Sequence, residues 1–163
     1  MELIKLVALD ADDLAVISAH VQDAVVRVGD IAAESGRGLA LALRRFDWQA
    51  AERDPQRRLA ALEFGRVTAV KAKGVAPDRP DDVLNLLAIT WDERDAPSGC
   101  VTLVFSGDVA LRLDVECIEA RLTDLGPAWS AKGRPAHAVD EGTPATPAAP
   151  LELERSRRGS AAA

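Results

Sequence analysis

Tyrosine is absent from this 163-residue chain, and its three Trp and three Phe make up only 4 % of it. Ala, Val and Leu must therefore fill most of the core that a 48 % hydrophobic content allows. Histidine is scarce as well, with His20 and His137 alone. The two cysteines, Cys100 and Cys117, are too far apart for a Cys-x-x-Cys pair. A metal cluster is poorly supplied by so few ligands, and neither a metal nor a cofactor is expected. Gly36-Arg37-Gly38 lacks the third glycine and the following helix of a phosphate-binding loop. No serine sits in a nucleophile-elbow context. No apolar run reaches the ~18 residues of a membrane span. The opening MELIKLVALDADD turns acidic too soon for a secretory signal. These absences predict a cytoplasmic chain whose cysteines are reduced, buried thiols.

Charge is present but unevenly placed. The net value is -6, yet Arg37 to Arg79 holds ten basic residues against five acidic ones. Such a dipolar chain can steer an anionic partner, although a surface neutralised by acidic neighbours in the fold is the more ordinary outcome.

The clearest stretch runs from Ser98 to Trp129. Val101, Leu103 and Phe105 alternate with polar or small positions, Ser106-Gly107-Asp108 is turn chemistry, and Val109, Leu111 and Leu113 alternate again. This predicts a hairpin. From Val115 the period lengthens: Val115, Ile118, Leu122 and Leu125 fall on one helical face with Asp124 turned away, and Gly126-Pro127 supplies a stop. The pattern predicts a closing amphipathic helix. Upstream, Asp10 caps a leading helix over residues 11–23, and residues 3–9 form a short strand or an extended arm. Further strands are predicted at 25–33, 39–46, 57–63, 67–73 and 83–91, with loops at 47–56 and 74–82. Gly65 marks a tight turn or a bulge.

The sum is an α+β fold: about seven mostly antiparallel strands in a pleckstrin-homology-like, partly open barrel with an N-terminal and a C-terminal helix. An open antiparallel sheet with both helices on one face is the alternative. The domain is expected over 1–129. Residues 130–163, with Thr143-Pro144-Ala145-Thr146-Pro147 and no periodic apolar face, read as a disordered tail.

Arg44-Arg45-Phe46-Asp47-Trp48 is the most unusual local cluster. Two guanidiniums beside two aromatics suit phosphate, a base or a partner loop, unless Phe46 is core and the arginines pair with acids. If Arg57 and Arg58 lie on the neighbouring strand, four guanidiniums share one area. The candidate partner-binding set is therefore Arg44, Arg45, Trp48, Arg57 and Arg58. A catalytic reading has one candidate, His20 with Asp23 at helical i, i+3 spacing, against the ordinary reading of a half-exposed helix histidine. Trp91 and Trp129 read as anchors of the core or of an element end.

Long blocks of the chain resemble a known family. They include Ile17-Ser18-Ala19-His20, Val28-Gly29-Asp30-Ile31-Ala32, Arg45-Phe46-Asp47-Trp48, Val115-Glu116-Cys117-Ile118-Glu119-Ala120-Arg121-Leu122 and Asp124-Leu125-Gly126-Pro127-Ala128-Trp129. The resemblance is to an alphaproteobacterial group numbered 2948 among the domains of unknown function, over roughly residues 2–135. It implies a single compact bacterial cytoplasmic domain and carries no activity or site role with it. The expected function is a non-enzymatic binding module for an unknown protein partner, with nucleic acid disfavoured by the net charge. The alternatives are a binder of an anionic ligand at the basic mid-chain face, and an enzyme with a dispersed site around His20 and Asp23.

Overall fold

A computed structural model describes residues 3–34, 38–46 and 57–126. Trp48, Trp129, His137 and the expected tail lie outside the described residues. The elements are β1 (Lys5–Ala8), α1 (Ala11–His20), β2 (Ala24–Arg27), β3 (Ile31–Glu34), β4 (Gly38–Phe46), β5 (Arg57–Gly65), β6 (Val67–Lys73), β7 (Val83–Asp95), β8 (Ser98–Phe105), β9 (Val109–Val115) and β10 (Ala120–Asp124). They form one antiparallel sheet in the order β1-β10-β5-β4-β2-β7-β8-β9-β6, with β3 beside the first half of β4. The end strands β1 and β6 do not pair, so the sheet is not closed into a barrel. No helix among the described residues is long and apolar enough to cross a membrane.

Ten strands replace the expected seven for three reasons. Residues 5–8 pair with β10 rather than forming an arm. The expected strand 25–33 is broken by a 3-10 turn at Val28–Asp30, where the Val28 and Gly29 amides donate to the carbonyls of Asp82 and Pro80. The closing helix over 115–125 does not form; its second half is β10, inserted between β1 and β5. Ile118, Ala120, Leu122 and Asp124 share the buried phase there, a period of two that the helical spacing of Val115, Ile118 and Leu122 conceals. Without that helix, the likeness to a barrel plugged by its last helix loses its basis.

The hairpin of β8 and β9 forms as expected. Phe105 faces Val109 across Ser106-Gly107-Asp108, where Gly107 and Asp108 take φ of 78° and 64°. At its other end β8 meets β7 across Ala96-Pro97, a cis peptide, and β7 runs on to Asp95, beyond the predicted strand end at residue 91.

At Gly65 the tight turn, rather than the bulge, is what forms, and it does not make a hairpin. Arg66 alone, at φ 57°, joins β5 to β6, which sit in different parts of the strand order. One residue spans at most about 7 Å, so the sheet must curl until those distant strands meet. The chain makes the same jump again from β9 to β10. The two crossings are stitched together: Gly65 N–H donates to the Glu119 carbonyl, and Glu116 N–H donates to that of Arg66. Strands that bend from one layer into another are how such corners are built.

The curled sheet closes over one core that includes Leu41, Leu43, Leu62, Leu86, Leu103, Leu113 and Leu122. Helix α1 contributes Leu14 and Ile17, followed by Val21, all at most 1 % exposed. Asp10 caps it as expected, accepting from Asp13 N–H at 2.8 Å. It ends at His20, three residues short of the expected Asp23, because Asp23 adopts φ 67° and hands its N–H to the Leu86 carbonyl. The Ser18 hydroxyl accepts the Ile89 amide of β7 at 2.9 Å, just past the bulge at Leu87. Trp91 packs against the core, as an anchor should.

Candidate functional site

Strands β4 and β5 pair along their whole length, which meets the condition for placing Arg44, Arg45, Arg57 and Arg58 on neighbouring strands. Strand alternation then divides them. Odd positions of β4 continue the buried run Leu39, Leu41, Leu43 into Arg45; even positions of β5 continue Phe64, Leu62, Ala60 into Arg58. Arg45 and Arg58 face each other in register and are 3 % and 4 % exposed. Arg44 and Arg57 occupy the opposite face. The four guanidiniums therefore do not make one surface anion site.

Arg45 is held by Asp124, with Nε on Oδ1 and Nη2 on Oδ2, both at 2.9 Å. Both side chains are sealed, at 3 % and 0 % exposure. In register, Ala60 of β5 stands between Leu43 and Asp124, so a small side chain occupies the strand that the arginine must reach across. Asp124 Oδ2 also accepts the Ile4 amide at 2.9 Å. One carboxylate thus ties β10 to β4 and to the start of β1. The sequence reading turned Asp124 to solvent; burial in β10 reverses that assignment. The available signal was Arg45 in the buried phase of β4, which demands a carboxylate somewhere in the fold.

His20, at the end of α1, is partly buried and shares the field of this pair. Desolvation lowers its pKa below 6.5, the Arg45 guanidinium lowers it further, and the Asp124 carboxylate works in the opposite direction. The catalytic dyad had relied on helical spacing to Asp23. That spacing is not realised, because Asp23 lies beyond the helix end with an exposed side chain.

The outer face is the more informative surface. Leu59, Arg44, Val25 and Asn85 form one cross-strand row over β5, β4, β2 and β7. On one side of that row Arg57 faces Phe46, its guanidinium 5.6 Å from the ring centroid and donating to the Asp23 and Arg44 carbonyls at 3.1 and 3.3 Å. On the other, Arg27 faces Val83, which is 57 % exposed. Arg27 lies 3.9 Å from Asp30, whereas Arg44 makes no ion pair among the described residues. The face is a blend of aliphatic side chains, one aromatic and three guanidiniums.

A concavity of about 310 Å³ lies over β8 and β9. Its lining includes Cys100, whose thiol donates to Asp114 Oδ1 at 3.2 Å, while Arg112 approaches the same oxygen at 3.4 Å. Arg94 on its rim is paired with Asp92 at 3.0 Å. Both cysteines are free thiols. Among the described residues no group of three or more His, Cys, Asp or Glu side chains could hold a metal ion.

Comparison with known sequences gives one decisive match. The family model DUF2948, protein of unknown function, covers residues 4–137. The chain belongs to the DUF2948 family. The DUF2948 match spans every strand described above and runs past Gly126 to residue 137. No curated protein and no solved structure matches the chain.

Proposed function

We propose that this DUF2948 domain is a non-enzymatic binding module of the cytoplasm that docks another protein on the outer face of β5, β4, β2 and β7. The supporting observation is the cross-strand row Leu59–Arg44–Val25–Asn85, flanked by Arg57 on Phe46 and by Arg27 beside exposed Val83. Arginine and aromatic groups set among aliphatic side chains are the composition of protein-binding hot spots. The guanidiniums favour a partner segment that is acidic as well as apolar. Two free cysteines fit a reducing compartment. Arg45 and Arg58 support the surface from beneath and are not part of it.

The second reading, an anionic small ligand or lipid headgroup at Arg44 and Arg57, uses the same residues. Salt separates the two, since a charge-only ligand is lost steeply as ionic strength rises. The test is affinity capture from host lysate followed by mass spectrometry, comparing the natural chain with an Arg44→Glu, Val83→Glu variant shown to be folded by circular dichroism. A stoichiometric protein retained by the first and lost from the second is the expected result. Equal capture by both removes this face from consideration.

A further inference from the structure

We propose that β1 pairs with β1 of a second copy of this chain, giving a two-fold dimer with a continuous sheet. The observation is separate from the outer face of β5, β4, β2 and β7. Ile4 N–H and C=O are both turned to β10, meeting Asp124 Oδ2 and Asp124 N–H at 2.9 Å. By alternation the main-chain groups of Lys5 and Val7 point the other way, to an edge that has no partner strand among the described residues. The side chains standing at that edge are apolar and exposed: Leu3 at 50 %, Val7 at 59 % and Leu9 at 66 %. Leu125 extends the patch, beside Leu3 in the continued register of β10, at 51 % exposure.

The opposite end of the sheet is built differently. Strand β6 carries exposed Thr68, Lys71 and Lys73 and an irregularity between Val67 and Ala69. Lysines and bulges are how sheet edges are kept from pairing. Edge β1 has one lysine, and its position selects the occupant. In an antiparallel pair with its two-fold axis at Leu6, Lys5 of each copy faces Val7 of the other, and Leu3 faces Leu9. The outward main-chain groups of residues 5 and 7 then exchange reciprocal hydrogen bonds, apolar side chains meet, and the two lysines are kept apart. The edge is self-complementary in hydrogen bonding and sets no like charges face to face, as an isologous contact requires.

Sedimentation equilibrium of the full chain tests this. The natural chain should sediment at twice its 17.3 kDa mass. Val7→Lys should return it to the single-chain mass, because the new ammonium faces the second copy's Lys5. Leu3→Glu should do the same independently. Lys5→Glu combined with Val7→Lys should restore the doubled mass by setting a carboxylate opposite each ammonium. Positions 3, 5 and 7 are exposed, so unchanged circular dichroism is expected throughout. A natural chain at the single-chain mass overturns the proposal and leaves the edge to another protein or to other residues of this chain. A doubled mass that survives Val7→Lys and Leu3→Glu also overturns it, by placing the interface elsewhere.

Discussion

Arg45 and Asp124 meet through two parallel hydrogen bonds of 2.9 Å although 79 residues separate them in sequence. A paired, planar contact of this kind is the strongest polar link available to two side chains, and here it lies inside the core. Removing one partner strands the other's charge out of water, which costs about 3–5 kcal/mol. Asp124→Asn and Arg45→Met should each lower stability by that order in urea unfolding. The double replacement Arg45→Met, Asp124→Leu should recover much of the loss. If the double variant is as unstable as the singles together, the pair is not acting as a unit.

His20 should leave a signature in the pH dependence of folding. Its folded pKa lies below 6.5 because of desolvation and Arg45, so the unfolded chain binds the proton more readily. The stabilisation is complete above 6.5 and is lost as pH falls through the folded value. The urea midpoint should therefore drop as pH falls below 6.5, and His20→Gln should flatten that decline relative to the natural chain. Equal slopes for the two proteins would show that burial and Arg45 do not lower the His20 pKa on folding.

Ser18 supplies the acceptor for the Ile89 amide, which stands in register with Leu103 of β8 but beyond the last residue that β2 pairs on the other side of β7. Ser18→Ala removes the oxygen and leaves the Ile89 N–H unsatisfied beside the core. The expected loss is about 1–3 kcal/mol. Hydrogen exchange should localise it, with Ile89 losing protection while the β8–β9 hairpin keeps its own.

Gly99 is fixed by Trp91. A methyl group at position 99 would stand 2.6 Å from both the Asp92 carbonyl oxygen and Cη2 of the indole. Gly99→Ala should cost about 1–3 kcal/mol through overpacking and push the ring outward. With Trp48 and Trp129 replaced by Phe, emission comes from Trp91 alone and should shift to longer wavelength in the alanine variant.

Where two local signals agree, the sequence predicts the structure. The β8–β9 hairpin has alternation on both sides of a Ser-Gly-Asp turn, and Asp10 precedes a helical apolar stripe; both form as read. The closing helix fails because its two periods overlap. Val115, Ile118 and Leu122 satisfy a helix, while Ile118, Ala120 and Leu122 satisfy a strand whose next inward residue is an aspartate. A buried Asp looks like an error until its arginine is known, and that arginine lies on a strand two places away in the sheet. The corner at Arg66 is hidden for a similar reason: nothing local to Gly65 says that β6 will pair with β9. The adjacency of Arg44, Arg45, Arg57 and Arg58 was legible, since it needed only neighbouring strands. The alternation of apolar residues along β4 and β5 also carried their division between two faces.

The place of β10 has a consequence for the order of events in time. It fills the slot between β1 and β5, with Lys5 opposite Thr123 and Leu62 opposite Leu122. A chain emerging from the ribosome makes β1 first and must hold it unpaired until nearly all the other strands exist. Closing so long a loop is slow, because its entropy is lost before any contact is gained. Insertion of β10, carrying Asp124 to Arg45, therefore follows synthesis of the other strands and completes the sheet.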